Sequence, residues 1–160
     1  MASVQDLKEI VLFENLPDKV LEQLLPMVEE ESFGERQVIY EAGSTADKLY
    51  SLKRGKVLLE SELAPAFIIS VGSIKPGYSF GWSALFPPTT NTSYAVCSEP
   101  SEILAMPCGK LSDFLNSEHT AGYMVMRKAA TILENRLEYR TAQFLKVMSK
   151  HPEIGALLGM

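Results

Sequence analysis

The stretch from Ser32 to Pro107 constrains the fold more than any other part of the sequence. Its apolar residues occur in short runs separated by glycines, as in "SFGERQVIYEAGSTADKLYSLKRGKVLL". Short strands at close spacing with glycine turns predict an antiparallel sandwich or roll. The later strands are predicted at Phe67–Val71, Tyr94–Cys97 and Glu102–Met106.

Helical patterns flank this stretch on both sides. Before it, "VQDLKEIVLF" and "LPDKVLEQLLPMV" place apolar residues at helical spacing. After it, "GKLSDFLNS" predicts a short helix, and the absence of proline from Glu118 to Lys150 predicts a long one. We therefore expect one α+β domain over residues 1–160, with N-terminal helices in 1–31, a β-roll in 32–107 and C-terminal helices in 108–150.

The composition excludes several classes of protein. The net charge of −5 gives no general attraction to nucleic acid or to an anionic membrane. No apolar run approaches the roughly 20 residues that span a bilayer, and the N-terminus lacks the pattern of a secretion signal. The sequence therefore predicts a cytoplasmic protein without a membrane span.

Motifs for metal binding and catalysis are missing from the sequence. Cys97 and Cys108 do not form a CxxC pair, and His119 and His151 have no partner at metal-binding spacing. A disulfide or redox pair is one interpretation of the cysteines, but two buried thiols in a reducing cytosol are favoured. No HExxH, GxSxG or Walker loop occurs, so we expect neither a metal site nor an enzyme.

One loop has the pattern of a binding site. The segment "KPGYSFGWSALFPPTTNTSYAV", Lys75 to Val96, places Gly81 before a short helical turn. Such a turn is typical of an anion site because its first N–H groups are free to donate. Yet no lysine or arginine occurs from Pro76 through Gly109. After Lys75, the loop therefore offers backbone donors without a cation.

Two segments resemble the cyclic nucleotide-binding domain family, the sensor part of the catabolite activator protein and of protein kinase A regulatory subunits. They are "VIYEAGSTADKLYSLKRGKVLL" and "IKPGYSFGWSAL" followed by "TSYAV". The resemblance covers about Phe13 to Met148 and implies a double-stranded β-helix, or jelly roll, with a regulatory role in signal transduction. It also implies a ligand-binding cassette formed by Phe80, Gly81, Trp82, Ser83, Ala84, Asn91, Thr92 and Ser93.

The cassette departs from the family at its two identifying side chains. In the family, a glutamate after the Phe–Gly pair accepts from the ribose, and an arginine binds the phosphate. Trp82 stands at the glutamate position. Counting back from Ala95–Val96 places Thr92 at the arginine position, whereas counting forward from Trp82 places Asn91 there. We therefore expect no binding of cyclic AMP or cyclic GMP in the usual mode, although cyclic nucleotide is the ligand that the resemblance implies.

The long C-terminal helix suggests contacts with other molecules. Matching "NRL", Asn135 to Leu137, to the family places Arg140 and Thr141 where relatives contact the base, and Arg140 would supply the missing cation. A helix of this length is expected to pair with a second copy, giving a homodimer. Only "HPEIGALLGM" follows it, so the chain is expected to lack a DNA-binding domain and to act through a partner protein rather than on DNA.

Two functions follow from these observations. The first is a ligand sensor domain in signal transduction that binds a small molecule other than cyclic AMP or cyclic GMP. The alternative is a degenerate domain that binds no ligand and serves as a dimerisation or protein-docking module.

Overall fold

The computed structural model describes residues 1–157 and Gly159, and these form two units. The first unit is Met1–Met124 and the second is Val125–Met160. All the strands belong to the first unit, and helix α4 begins there and continues into the second. The helices are α1 (Val4–Lys8), α2 (Asp18–Leu24), α3 (Cys108–Ser117), α4 (His119–Ser149) and α5 (Pro152–Leu157), with 3₁₀ turns at Leu25–Met27 and Trp82–Leu85.

The strands of the first unit form two antiparallel four-stranded sheets. One sheet has the order β1-β8-β3-β6 and the other has the order β2-β7-β4-β5. This arrangement, with the long C-terminal helix, confirms the predicted α+β jelly-roll fold. The strands are β1 (Glu29–Phe33), β2 (Val38–Tyr40), β3 (Lys48–Arg54), β4 (Val57–Ala64), β5 (Phe67–Ile74), β6 (Ser79–Phe80), β7 (Tyr94–Cys97) and β8 (Ser101–Pro107).

The first strand begins earlier than the sequence pattern indicates. Its residues Glu29 to Glu31 are acidic, but lysines of β3 neutralise them: Lys48 Nζ lies 2.7 Å from Glu29 and 3.0 Å from Glu31, and Lys53 Nζ lies 2.8 Å from Glu30. These bonds raise the pKa of Lys48 and lower the pKa of Glu29 and Glu30. The acidic strand is thus stabilised by contacts between residues distant in sequence.

Aromatic rings fill the interior between the two sheets. The rings of Tyr50 and Phe80 stack with their centroids 5.4 Å apart, and Tyr40 lies 5.6 Å from Tyr50 and 6.2 Å from Phe80. Burial raises the pKa of Tyr50 to about 12. The buried residues packed with Tyr50 and Phe80 are Leu52, Val57, Leu59, Ile74, Ala95, Cys97, Ile103 and Ala105.

The two cysteines are free and buried. Burial raises the pKa of the Cys108 thiol to about 11 and also raises the pKa of Cys97. A thiol that stays protonated is a poor nucleophile, so both residues behave as small core side chains. Within residues 1–157 and 159, no group of three histidine, cysteine or acidic side chains is placed to hold a metal. None of the described helices is long and apolar enough to cross a bilayer.

Candidate functional site

The cassette loop, defined here as Lys75 to Ser93, has near its start a glycine that bonds to β3 and to the N-terminal segment. Gly77 has a φ of 87°. Its N–H donates to the Leu52 carbonyl at 2.8 Å, and its carbonyl accepts from Val11 N–H at 2.9 Å. A side chain on Gly77 would place its Cβ 3.0 Å from the Glu9 carbonyl oxygen. The loop is therefore anchored to β3 and to the N-terminal segment through backbone that requires glycine.

The second glycine starts the 3₁₀ turn that carries the tryptophan. Gly81 follows β6 and has a φ of 78° in the left-handed region. A Cβ at this position would lie 3.0 Å from the Lys48 carbonyl oxygen and 3.0 Å from the Tyr50 ring. Only glycine combines this φ with so close an approach of β3. The turn that begins after Gly81 therefore lies close to β3, and Trp82 is its first residue.

The far end of the cassette loop pairs with the loop after β2. Asn91 N–H donates to the Ser44 carbonyl at 2.8 Å, and the Asn91 carbonyl accepts from Gly43 N–H at 2.7 Å. The Asn91 side chain donates through Nδ2 to Ser44 Oγ at 3.1 Å. Ala46 N–H donates to the Thr89 carbonyl at 3.1 Å. Asn91 thus joins two loops, and the sequence reasoning missed its partner Ser44 although "AGST" indicated a turn.

All the predicted cassette residues belong to the first unit, and most of them are buried. Ser83 is half-buried, and its carbonyl accepts from Thr89 Oγ1. Of the two residues predicted to stand at the family's arginine position, Thr92 is exposed and Asn91 is buried. The buried members are Phe80, Gly81, Trp82, Ala84, Asn91 and Ser93. Arg140 and Thr141 belong to the second unit, on α4, where Arg140 is half-buried and Thr141 is exposed.

Trp82 carries an unusual polar atom. The side chain is 8% exposed, and among the described residues its Nε1 is the buried side-chain nitrogen or oxygen that has no hydrogen-bond partner. Burying an N–H without an acceptor costs about 1–3 kcal/mol. The indole is therefore held by packing, with its donor shielded from water.

Several cations of the roll are paired with carboxylates. Arg36 lies 3.4 Å from Glu60, a carboxylate that is almost fully buried. Lys48 is bonded to Glu29 and Glu31, which raises its pKa. The cation of the cassette loop is Lys75, whose Nζ lies 5.1 Å from the centroid of the Tyr78 ring. From residue 76 to residue 109 the chain supplies no lysine or arginine, so the rest of the loop provides backbone and hydroxyl groups only.

A protein-family model matches this part of the chain. The model of the cyclic nucleotide-binding domain matches residues 30–118, which is more than half of the chain and includes both sheets and the cassette loop. The chain belongs to the cyclic nucleotide-binding domain family. Its role is accordingly that of a sensor or regulatory domain.

Solved structures of cyclic nucleotide-binding domains share this fold. A candidate cyclic nucleotide-binding protein from Geobacter metallireducens GS-15 is 29% identical, with a TM-score of 0.75 over 86% of this chain and 99% of its own. A cyclic nucleotide-binding domain from Methylobacillus flagellatus KT is 15% identical, with a TM-score of 0.82 over 93% and 86%. Thermus thermophilus catabolite activator protein is 22% identical, with a TM-score of 0.72 over 87% and 63%. No curated protein matches the sequence.

Proposed function

We propose that this chain is a regulatory sensor domain that does not bind cyclic AMP or cyclic GMP through its family's usual contacts and that responds to another small molecule. The observation that carries the proposal is Trp82, which is buried directly after Phe80 and Gly81 in a segment, residues 76–109, that has no lysine or arginine. By its match to the family's motif, Trp82 stands where relatives have the glutamate that accepts from the ribose. We further propose that the protein is cytoplasmic, has no catalytic activity and passes its signal to another protein.

The expected loss of affinity for a cyclic nucleotide follows from the missing glutamate and arginine contacts. A hydrogen bond to a charged group contributes roughly 1.5–3 kcal/mol, and a partly buried charge that loses its partner costs about 3–5 kcal/mol. The backbone amides at the start of the Trp82–Leu85 turn offset only about 0.3–2 kcal/mol of this loss. The net loss is about 2.5–8 kcal/mol, so at about 1.4 kcal/mol per tenfold the affinity for a cyclic nucleotide falls by roughly two to five orders of magnitude.

The side chains of the site indicate which ligands to test. Trp82 offers an aromatic surface, and Ser83, Thr92 and Ser93 offer hydroxyl groups, a set that suits a neutral or aromatic ligand.

The fluorescence of Trp82 tests ligand binding directly because it is the chain's only tryptophan. The protein is titrated with nucleotides and with small aromatic acids. A saturable shift or quench with one of these compounds, reduced in Ser93→Ala, supports the sensor. If no compound changes the emission while calorimetry detects no heat, the sensor proposal fails and the alternative below stands.

The enclosure of the Trp82 N–H favours a second function, a domain that binds no ligand and serves for docking. A donor without solvent contact and without a protein acceptor is not available to a ligand in this conformation. In that case the scaffold is retained for the surfaces that it presents. A silent titration together with a stable dimer is the result expected of this function.

Either function places a homodimer interface on α4. In the second unit, apolar side chains recur at alternating spacings of four and three residues, the pattern of a coiled-coil seam. Leu137 is 68% exposed and Phe144 is 61% exposed, although both are large apolar residues. Arg140 is the polar member of this seam, which is otherwise formed by Met126, Ala130, Leu133, Leu137, Phe144 and Val147.

Charged substitutions in the seam test the homodimer. In sedimentation experiments, the double variant Leu133→Glu and Leu137→Glu is expected to be monomeric at concentrations where the unmodified chain is dimeric. Leu145→Glu is the matched control, because Leu145 is also exposed on α4 but lies outside the seam. Equal dissociation of both variants, or no dissociation of either, would contradict this interface.

A further inference from the structure

Three of the four sheet edges in the first unit are protected against pairing with another chain. Natural proteins protect edges with charged residues, short strands or irregular register. The edge strand β1 carries Glu29, Glu30 and Glu31. The edge strand β6 is only 2 residues long, and β2 is 3 residues long with an irregular register.

The fourth edge, β5, is neither charged nor short, although its pairing with β4 is irregular between Gly72 and Ser70. It is 8 residues long, Phe67–Ile74, and it contains no charged residue and no proline. Among the strands in the described part of the chain, β5 pairs with β4 alone. Phe67 is 57% exposed and Ile68 is 60% exposed, and Leu63 on the adjoining part of β4 is 67% exposed. A long, apolar and uncharged edge of this kind is a template for one more strand.

We propose that the β5 edge binds an extended segment of a partner protein as an added antiparallel or parallel strand. This inference goes beyond the proposed ligand sensor and does not depend on it. The free backbone N–H and C=O groups of an edge strand require an extended partner, and Phe67 and Ile68 require apolar residues opposite them. This edge therefore supplies a contact through which another protein reads the domain.

The charges near the edge indicate what flanks the partner segment. No lysine or arginine occurs between Lys56 and Lys75. Glu62 is opposite Ile68 on β4, and it is exposed. A segment with a basic residue beside its apolar run therefore fits this end of β5 better than one with an acidic residue.

A second copy of the chain fits the same edge less well when all eight residues of β5 pair. If two β5 strands pair antiparallel about the point between Ser70 and Val71, Phe67 of each faces Ile74 of the other, and Ile68 faces Ser73. Ile74 is only 3% exposed, and it already packs in the core. The exposed apolar residues of the two copies would then lie at opposite ends and remain uncovered, whereas a partner with apolar residues at one end covers them.

The test uses a synthetic nine-residue peptide of alternating valine and threonine with lysine at each end. Fluorescence anisotropy of the labelled peptide measures affinity, and amide exchange by NMR locates the site. We expect saturable binding that protects amides of Phe67–Ile74. Ile68→Lys is expected to weaken binding by at least about tenfold, whereas Val38→Lys, on the β2 edge of the same sheet, leaves it unchanged. Circular dichroism and Trp82 emission check that each variant is folded.

Three results would overturn the proposal. The first is no saturable binding of the lysine-flanked peptide, and the second is binding that protects amides outside β5. The third is protection of β5 in the free protein that grows with protein concentration and disappears in Ile68→Lys, because a second copy then occupies the edge. Weaker binding of a glutamate-flanked peptide and loss of binding with proline at the peptide's centre support it.

Discussion

The unpaired N–H of Trp82 predicts that Trp82→Phe changes stability little, although it removes part of a buried ring. The indole exceeds the phenyl ring by two carbons and the N–H group. At about 0.8 kcal/mol per buried carbon, the lost apolar burial costs about 1.6 kcal/mol. Removal of a buried donor that has no acceptor stabilises the folded state by about 1–3 kcal/mol. The variant is therefore expected to lie between about 0.6 kcal/mol less stable and about 1.4 kcal/mol more stable.

Urea unfolding followed by far-ultraviolet circular dichroism measures this difference, since the variant has no tryptophan emission. Trp82→Ala is the control for loss of the whole ring, and it is expected to cost about 3–5 kcal/mol. If the N–H had an acceptor, Trp82→Phe would lose both the burial and a hydrogen bond, a cost of about 2–3 kcal/mol. A measured loss above about 2 kcal/mol refutes the reasoning.

Three further predictions concern the same unit. Gly81→Ala is expected to destabilise the fold by about 1–3 kcal/mol in urea unfolding, because Gly81 has a φ of 78° and the added Cβ would lie 3.0 Å from the Lys48 carbonyl oxygen. Gly109→Ala is expected to be neutral or stabilising, because no atom lies within 4 Å of its added Cβ. The pKa of Glu30 is lowered from 4.5, chiefly by the bond from Lys53, so its stabilisation is present above pH 4.5 and is lost as the pH falls; Lys53→Met should flatten the acid side of a stability–pH profile. The Cys108 thiol, with a pKa of about 11, should resist iodoacetamide at pH 8 in the folded protein and react after unfolding, as mass spectrometry would detect. Rapid labelling of the folded protein, a profile unchanged by Lys53→Met or equal losses at the two glycines would contradict the respective argument.

Local patterns were sufficient to predict the fold. Strand β7 has the predicted bounds, Tyr94–Cys97, because its alternation lies between clear turns. The long helix α4 was predictable from the sequence because no proline interrupts it. Gly77 and Gly81 marked the cassette loop because only glycine tolerates their φ values at such close backbone approaches.

Features that depend on distant contacts were not predictable. Strand β1 is acidic and lacks the alternation of a half-buried strand, and only the lysines of β3 explain its stability. The bond between Asn91 and Ser44 joins residues far apart in sequence, so the structural use of Asn91 required the structure. For the site, the sequence showed that Trp82 replaces the glutamate of the family's motif. The burial of its N–H without an acceptor depends on packing from all sides and required the structure.

Isothermal titration with cyclic AMP and with cyclic GMP tests the central claim most directly. The buried Trp82 and the absence of lysine and arginine from residues 76–109 predict no detectable binding at micromolar concentrations. The double variant Trp82→Glu and Thr92→Arg, checked for folding by circular dichroism, shows whether the assay detects binding once the family's two side chains are restored. Micromolar affinity of the unmodified chain for either nucleotide would contradict the account.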